Sequence, residues 1–193
     1  MEKRLLITGF DPFDGKFVNP SREVLRHLPD RIGGFVLKKL EVPTVFGLAA
    51  QTVLAAADKW EPDVILCLGV AAGRDAVTPE RIAVNIRDAR IPDNAGNQPR
   101  GEHVVPDGPA AYFTTVPVAD MAQKIRQAQI PATVSNTAGT FVCNDLLYSL
   151  LHHYHGSRTM VGFIHVPALP GQNGACLPLE ATVAAITAAI TAL

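Results

Sequence analysis

"VILCLGV", residues 64–70, holds seven residues without a charge or a strongly polar side chain. A short apolar run with no alternation predicts a strand buried on both faces, and that implies a parallel sheet with helices packed on either side. "RLLITGF" (4–10) has the same character. "RIAVNI" (81–86), "ATVSNT" (132–137) and "MVGFIHV" (160–166) read as further strands. Longer patterns of helical character lie between them: "SREVLRHL" (21–28), "VFGLAAQTVLAAADKW" (45–60), "VADMAQKIRQAQ" (118–129), "CNDLLYSLLHHYH" (143–155) and "LEATVAAITAAITAL" (179–193). In the fourth, Leu146, Leu147, Leu150, Leu151 and Tyr154 share one helix face. Strand–helix alternation over residues 1–193 predicts a single three-layer α/β/α domain with a largely parallel, twisted central sheet. The longest irregular stretch is "DARIPDNAGNQPRGEHVVPDGPAAYF" (88–113), a length usually reserved for a functional or interface loop.

Composition narrows the classes. The chain has 193 residues, 48% of them hydrophobic and 18% charged, which suits one globular core. A formal charge of −1, with Lys and Arg scattered, offers no footprint for nucleic acid or a membrane surface. The opening "MEKRLLITGF" has too short an apolar run for a secretory signal, and no stretch has the length of a bilayer span. Cys67, Cys143 and Cys176 are odd in number and widely spaced, fitting neither a disulfide framework nor a zinc pattern. These features predict a cytoplasmic protein with reduced thiols, and none calls for a metal.

Ligands of open α/β sheets gather beyond the carboxyl ends of the strands, and four segments there carry unusual residues. "GFDPFDGKFVNPS" (9–21) is neither a dinucleotide fingerprint nor a P-loop. Its Phe10 and Phe13 read either as core or as pocket wall. Asn19 followed by Pro20 is a helix N-cap signature, with a second role left open. "GVAAGRDAVTPERIAVN" (69–85) puts Glu80 just before an apolar strand, where a carboxylate is either solvated or in need of a partner. In "SNTAGTFVCN" (135–144), Cys143 opens a helix. The unpaired N–H groups and the dipole there predict a lowered thiol pKa and ready oxyanion donors. Cys67, in mid-strand, reads as inert. "GFIHVPALP" (162–170) ends a strand on His165, a neighbour of the Cys143 helix in a βαβ unit and a candidate base for its thiol. His152, His153 and His155 sit at a helix C-terminus, where a solvated role suffices.

Together these motifs, with "DARIPDN" and "DGPAAYFTT", resemble the pyroglutamyl peptidase type I family, also called pyrrolidone-carboxylate peptidases, over most of the chain and in family order. The resemblance implies a phosphorylase/hydrolase-like α/β/α fold, usually assembled as a homotetramer. It also implies a cysteine peptidase that needs no metal or cofactor and removes N-terminal pyroglutamyl residues from peptides. Carried over, it makes Cys143 the nucleophile, His165 the general base and acid, and Glu80 the group that orients His165. The lactam ring would lie among Phe10, Phe13, Phe141 and Ile91. Backbone groups near Val70 and the Asn19 side chain would meet its polar edge. The Cys143 N–H and the Arg90 guanidinium would serve as oxyanion donors. Two other readings compete. A nucleoside phosphorylase-like transferase shares the architecture but needs a phosphate site that the motifs do not supply. A pyroglutamyl-binding module would have no use for a nucleophile.

Overall fold

The structure is a computed structural model that describes residues 2–193. Its main sheet has six strands. In chain order they are β1 (Lys3–Phe10), β2 (Arg31–Ile32), β3 (Phe35–Val42), β4 (Val64–Val70), β5 (Thr78–Pro79) and β8 (Met160–Val166). Across the sheet they run β2-β3-β1-β4-β8-β5. The four long strands are parallel, and the two-residue strands at the edges are antiparallel to their neighbours. Short antiparallel edges cap a parallel sheet without presenting a long open ladder. The sheet is therefore mixed but mainly parallel.

Side-chain alternation along the central strands builds two cores. Leu5 and Ile7 of β1, with Val64, Leu66 and Leu68 of β4, face one side. There they meet α1 (Pro20–His27), α3 (Val118–Gln127) and α5 (Leu179–Ile190), through residues such as Val24, Met121 and Ile186. Leu6 and Phe10 of β1, with Ile65 and Cys67 of β4, face the other. That side is covered by α2 (Leu48–Trp60) and α4 (Val142–His153), through Val53, Leu146, Leu147 and Leu150. Both faces are dry, which is why these strands lack polar alternation. No described helix is long and apolar enough to cross a membrane.

The strands at 4–10, 64–70 and 160–166 and all five helices stand close to where the sequence places them. Four features differ. Residues 35–42, "FVLKKLEV", form β3, which the apolar-run criterion passes over because Lys38 and Lys39 interrupt it. Their side chains find partners at the margin of the sheet: Lys39 Nζ lies 2.8 Å from Asp30 Oδ1 and Lys38 lies over the Trp60 ring. Residues 81–86 supply only β6 (Ile82–Val84), which leaves the main sheet and pairs antiparallel with β7 (Ala111–Phe113). Residues 132–137 are not a strand. They track residues 77–81 through two isolated bridges, Val77 with Ala132 and Glu80 with Ser135. Pro79 lies between those bridges and has no N–H to extend the ladder.

Finally, 88–113 is less irregular than its composition suggests. Besides β7, it holds a turn built on buried Asp93, whose carboxylate accepts from the N–H groups of Ala95, Asn97 and Phe46. The Asn94 side chain ties this turn to Asp11 and Pro12, so the loops after β1 and β3 and the 91–97 turn are bound together.

Candidate active site

The site forms where β4 and β8 end side by side. Gly69 of β4 is in register with His165 of β8, and His165 is in register with Thr78 of β5 on its other side. Just past β5, the Glu80 N–H donates to the Phe163 carbonyl at 2.9 Å, which fixes the start of the next segment against β8. Strand periodicity then turns Thr78 and Glu80 to the same side, and it likewise pairs Phe163 with His165, whose rings lie 4.7 Å apart. This register brings two residues far apart in the chain into one hydrogen bond. His165 Nδ1 lies 2.7 Å from Glu80 Oε1, with Glu80 fully buried and His165 nearly so.

Burial alone would raise the Glu80 carboxyl pKa. Hydrogen bonds from His165 and from neighbouring donors, Arg74 among them, outweigh it and hold the group below its ordinary value. Burial dominates for His165: it lowers the imidazole pKa despite the opposing pull of Glu80. The consistent state is a carboxylate beside a neutral imidazole. The carboxylate takes the Nδ1 proton as hydrogen-bond acceptor and leaves Nε2 with a free lone pair.

Cys143 is the second residue of α4. Phe141, ahead of the helix, provides no side-chain cap, so the first N–H groups remain available to a ligand. The two residues after the cysteine anchor the helix end. Asn144, buried, exchanges two hydrogen bonds with the Val84 backbone and donates a third to the Ile86 carbonyl. The buried Asp145 carboxylate takes Arg87 Nε at 2.5 Å and the Gly47 N–H at 2.8 Å. Both polar groups stand in the first turn of an otherwise leucine-rich helix. That contrast is the sequence signal that could have marked them.

Gly69 completes the geometry. A Cβ there would lie 2.9 Å from Cys143 Sγ and 2.7 Å from the Phe163 ring, so only glycine lets the sulfur rest on the strand beside His165. One expectation is overturned here. Burial pushes the Cys143 thiol pKa up to about 12, reinforced by the nearby Glu80 charge, and the helix terminus does not offset this. Its surroundings therefore favour the neutral thiol over the thiolate in the resting site.

The proposed pocket residues fall into three sets. Phe13, Asn19 and Val70 line one small cavity together with Lys16, Val18 and Gln172. The Phe13 ring stands 6.1 Å from Phe141, which in turn takes an edge-on contact from Phe46, an aromatic the sequence reading did not single out. Phe10 belongs to the buried core, 2% exposed and packed near Phe163, so it backs the site and does not form an open wall. Asn19 Oδ1 is committed to capping α1, accepting from the Ser21 N–H and hydroxyl, while Nδ2 donates to the Asp11 carbonyl. One amide hydrogen is left over. Ile91 is half-buried beside the Asp93 turn. Arg90 is exposed, and among the described residues its guanidinium has no hydrogen bond or ion pair. The guanidinium that reaches the histidine–carboxylate pair is instead that of Arg74, 2.6 Å from Glu80 Oε1. Arg74 stands inside the 69–85 motif, but nothing in its spacing shows where a loop arginine will point.

Comparisons with known proteins place this arrangement. The family model described as pyroglutamyl peptidase matches residues 3–193. The pyrrolidone-carboxylate peptidase of Levilactobacillus brevis is 50% identical over 197 aligned residues, covering 98% of this chain and 97% of the relative. That of Bacillus subtilis is 48% identical, over 90% of this chain and 82% of the relative. Among solved structures, the pyroglutamyl peptidase I of Bacillus amyloliquefaciens superimposes with a TM-score of 0.94 at 44% identity, covering 98% of this chain and 96% of that one. A mutant pyrrolidone carboxyl peptidase from Pyrococcus furiosus gives 0.92 at 37% identity, covering 98% and 97%. With nearly its whole length aligned to these proteins, the chain belongs to the pyroglutamyl peptidase family.

Proposed function

We propose that this chain is a cysteine exopeptidase that hydrolyses the bond after an N-terminal pyroglutamyl residue, with Cys143, His165 and Glu80 as its catalytic set. The observation that carries the proposal is the buried His165–Glu80 hydrogen bond beside Gly69, on which the Cys143 sulfur rests. Neutral His165 takes the thiol proton at Nε2 as Sγ attacks the pyroglutamyl carbonyl carbon. The negative charge that develops on the carbonyl oxygen meets the Cys143 N–H at the uncapped start of α4. His165 then passes the proton to the leaving amine, and the C–N bond breaks to give a thioester. Water, deprotonated by His165, attacks the thioester. Free pyroglutamate departs, and the proton returns to sulfur. Glu80 keeps the imidazole in one tautomer and stabilises it when it is charged.

Substrate selection follows from the polarity of the pocket. The lactam is flat and uncharged, so the rings of Phe13 and Phe141 can cover its faces. The spare Asn19 amide hydrogen and the backbone at Val70 suit its polar edge. An uncyclised N-terminal Glu or Gln carries an ammonium, which this pocket would strip of water without pairing it.

The test is release of a chromophore from a pyroglutamyl amide, with and without iodoacetamide. We expect hydrolysis, and we expect alkylation to abolish it. Because the resting thiol is neutral, the inactivation rate should keep rising with pH past the ordinary thiol range of about 8.5. No chromophore release would overturn the function. A plateau in the rate at neutral pH would overturn the neutral thiol and indicate a preformed thiolate–imidazolium pair.

Residues 1–193 are proposed to act as one domain, since both cores share a single sheet. Three unpaired cysteines suit a reducing, cytoplasmic setting. A homotetramer is proposed with the 88–113 segment in its interfaces. Phe113, 68% exposed on the β6–β7 pair, is the apolar residue there most in need of cover. A strictly monomeric mass in solution at micromolar concentration would remove this assembly.

A further inference from the structure

Arg74 lies in the loop between β4 and β5, and its guanidinium meets three segments at once. Nη1 donates to Glu80 Oε1 and to Thr78 Oγ1, each at 2.6 Å. Nη2 donates to the Thr137 carbonyl at 2.9 Å. Thr78 is in register with His165, and Thr137 belongs to the loop that leads into the Cys143 helix. The carboxylate oxygen that accepts from Arg74 is the same one that accepts from His165; the buried Oε2 has no partner in hydrogen-bond geometry, although the Ser135 hydroxyl lies near enough to help lower the carboxyl pKa.

We infer that Arg74 is a positioning residue for the proposed reaction, clamping Glu80 in one rotamer and holding that carboxylate in register with the loop that delivers Cys143. The inference rests on the assignment of Cys143, His165 and Glu80 made above. A carboxylate held through one oxygen by a single histidine can rotate and bring its idle oxygen to the ring, and the imidazole plane follows it. A second donor on that oxygen, itself anchored to Thr78 and Thr137, removes this freedom. A planar fork suits the task better than an ammonium, because it sends fixed donors to acceptors on separate segments.

Arg74 also carries charge into a buried site. The titratable and charged groups facing His165 are Glu80, which favours the imidazolium, Arg74, which opposes it, and the Cys143 thiol across Gly69. Arg74 thus helps to keep His165 neutral and ready to accept a proton. The same charge favours ionisation of Cys143. Removing it should make His165 easier to protonate, so the acid limb of kcat/KM moves to higher pH.

The experiment compares wild type, Arg74→Met and Arg74→Lys in pyroglutamyl amide hydrolysis across pH, with Cys143→Ser as control and thermal unfolding as a check on folding. Arg74→Met should lose roughly 10- to 100-fold in kcat, about what one charge-assisted hydrogen bond is worth, with KM within about twofold. Its acid limb should shift to higher pH. Arg74→Lys should keep the acid limb in place, because the charge remains, yet lose part of kcat, because the fork is gone. A loop that merely needed support would lower kcat without moving the limb, and that result overturns the inference. So does wild-type kcat and pH profile in Arg74→Met. If Arg74→Met does not fold, Arg74→Gln takes its place under the same criterion: reduced kcat with the acid limb at higher pH supports the inference, and undiminished kcat, or reduced kcat at an unmoved limb, overturns it. Activity in Cys143→Ser would instead overturn the underlying site assignment, so the two failures are distinguishable.

Discussion

Replacing Cys143 by serine is expected to abolish turnover, while Cys67→Ser and Cys176→Ser keep most of it. Removal of the nucleophile from a comparable triad costs roughly a millionfold in kcat. Cys143→Ser meets a further obstacle, because a hydroxyl is far harder to deprotonate and the pocket already disfavours charge even on sulfur. Cys67 has no access to substrate. It lies fully buried in β4, its thiol pKa also pushed up to about 12 by burial. Cys176 is exposed in the segment between β8 and α5, bridged through its backbone to Ala168, and opens no helix. Steady-state hydrolysis by the three purified variants checks the assignment. Wild-type turnover in Cys143→Ser would remove the covalent mechanism, and loss confined to Cys67→Ser would point to the core instead.

The second large effect concerns the histidine and its carboxylate, which should be separable by pH dependence. His165→Ala removes the proton carrier, and Glu80→Gln keeps a hydrogen-bonding partner but loses the charge. The loss for Glu80→Gln should reach up to about four orders of magnitude in kcat, the cost of a wrong tautomer in a comparable triad. His165→Ala should lose at least as much. KM should change little in either, because neither side chain is placed against the lactam. The sign of the pH effect is specific. Glu80 raises the His165 pKa against the lowering by burial, so its neutralisation should send the acid limb of residual kcat/KM to lower pH. Arg74→Met shifts the same limb the other way. An unshifted profile with wild-type rate in Glu80→Gln would return Glu80 to a structural role.

These opposed signs express how the proposed site would hold a neutral base. Burial sets the starting point by disfavouring charge on His165 and Cys143 alike. In the proposed mechanism Glu80 makes the imidazolium accessible during reaction, and Arg74 limits how far that goes at rest. Proton transfer from a neutral thiol to a neutral imidazole creates both charges together, when the substrate is present to use them.

What is legible in the sequence follows from the range of each interaction. β1, β4 and β8 are legible because burial on both faces removes polar residues from a contiguous run. The helices are legible because their apolar faces repeat every three to four residues. Cys143, His165 and Glu80 stand out at the ends of such elements, and the family motifs gather them. β3 escaped because Lys38 and Lys39 break its apolar run, and the partners that satisfy them, Asp30 and Trp60, are identified by the fold and not by any periodicity. Residues 132–137 have strand composition, but whether they join a ladder depended on Pro79, far away in the chain. The charge state of Cys143 was misjudged for the same reason. Its helix terminus is local, whereas the surroundings that desolvate it come from other parts of the fold. Arg74 is the clearest case. Its place in the motif is visible, yet only the packed sheet edge brings Thr78, Glu80 and Thr137 within reach of one guanidinium. Periodicity records which faces are buried. Register, partner and pKa are set by residues distant in sequence, which meet once the sheet and its helices have packed.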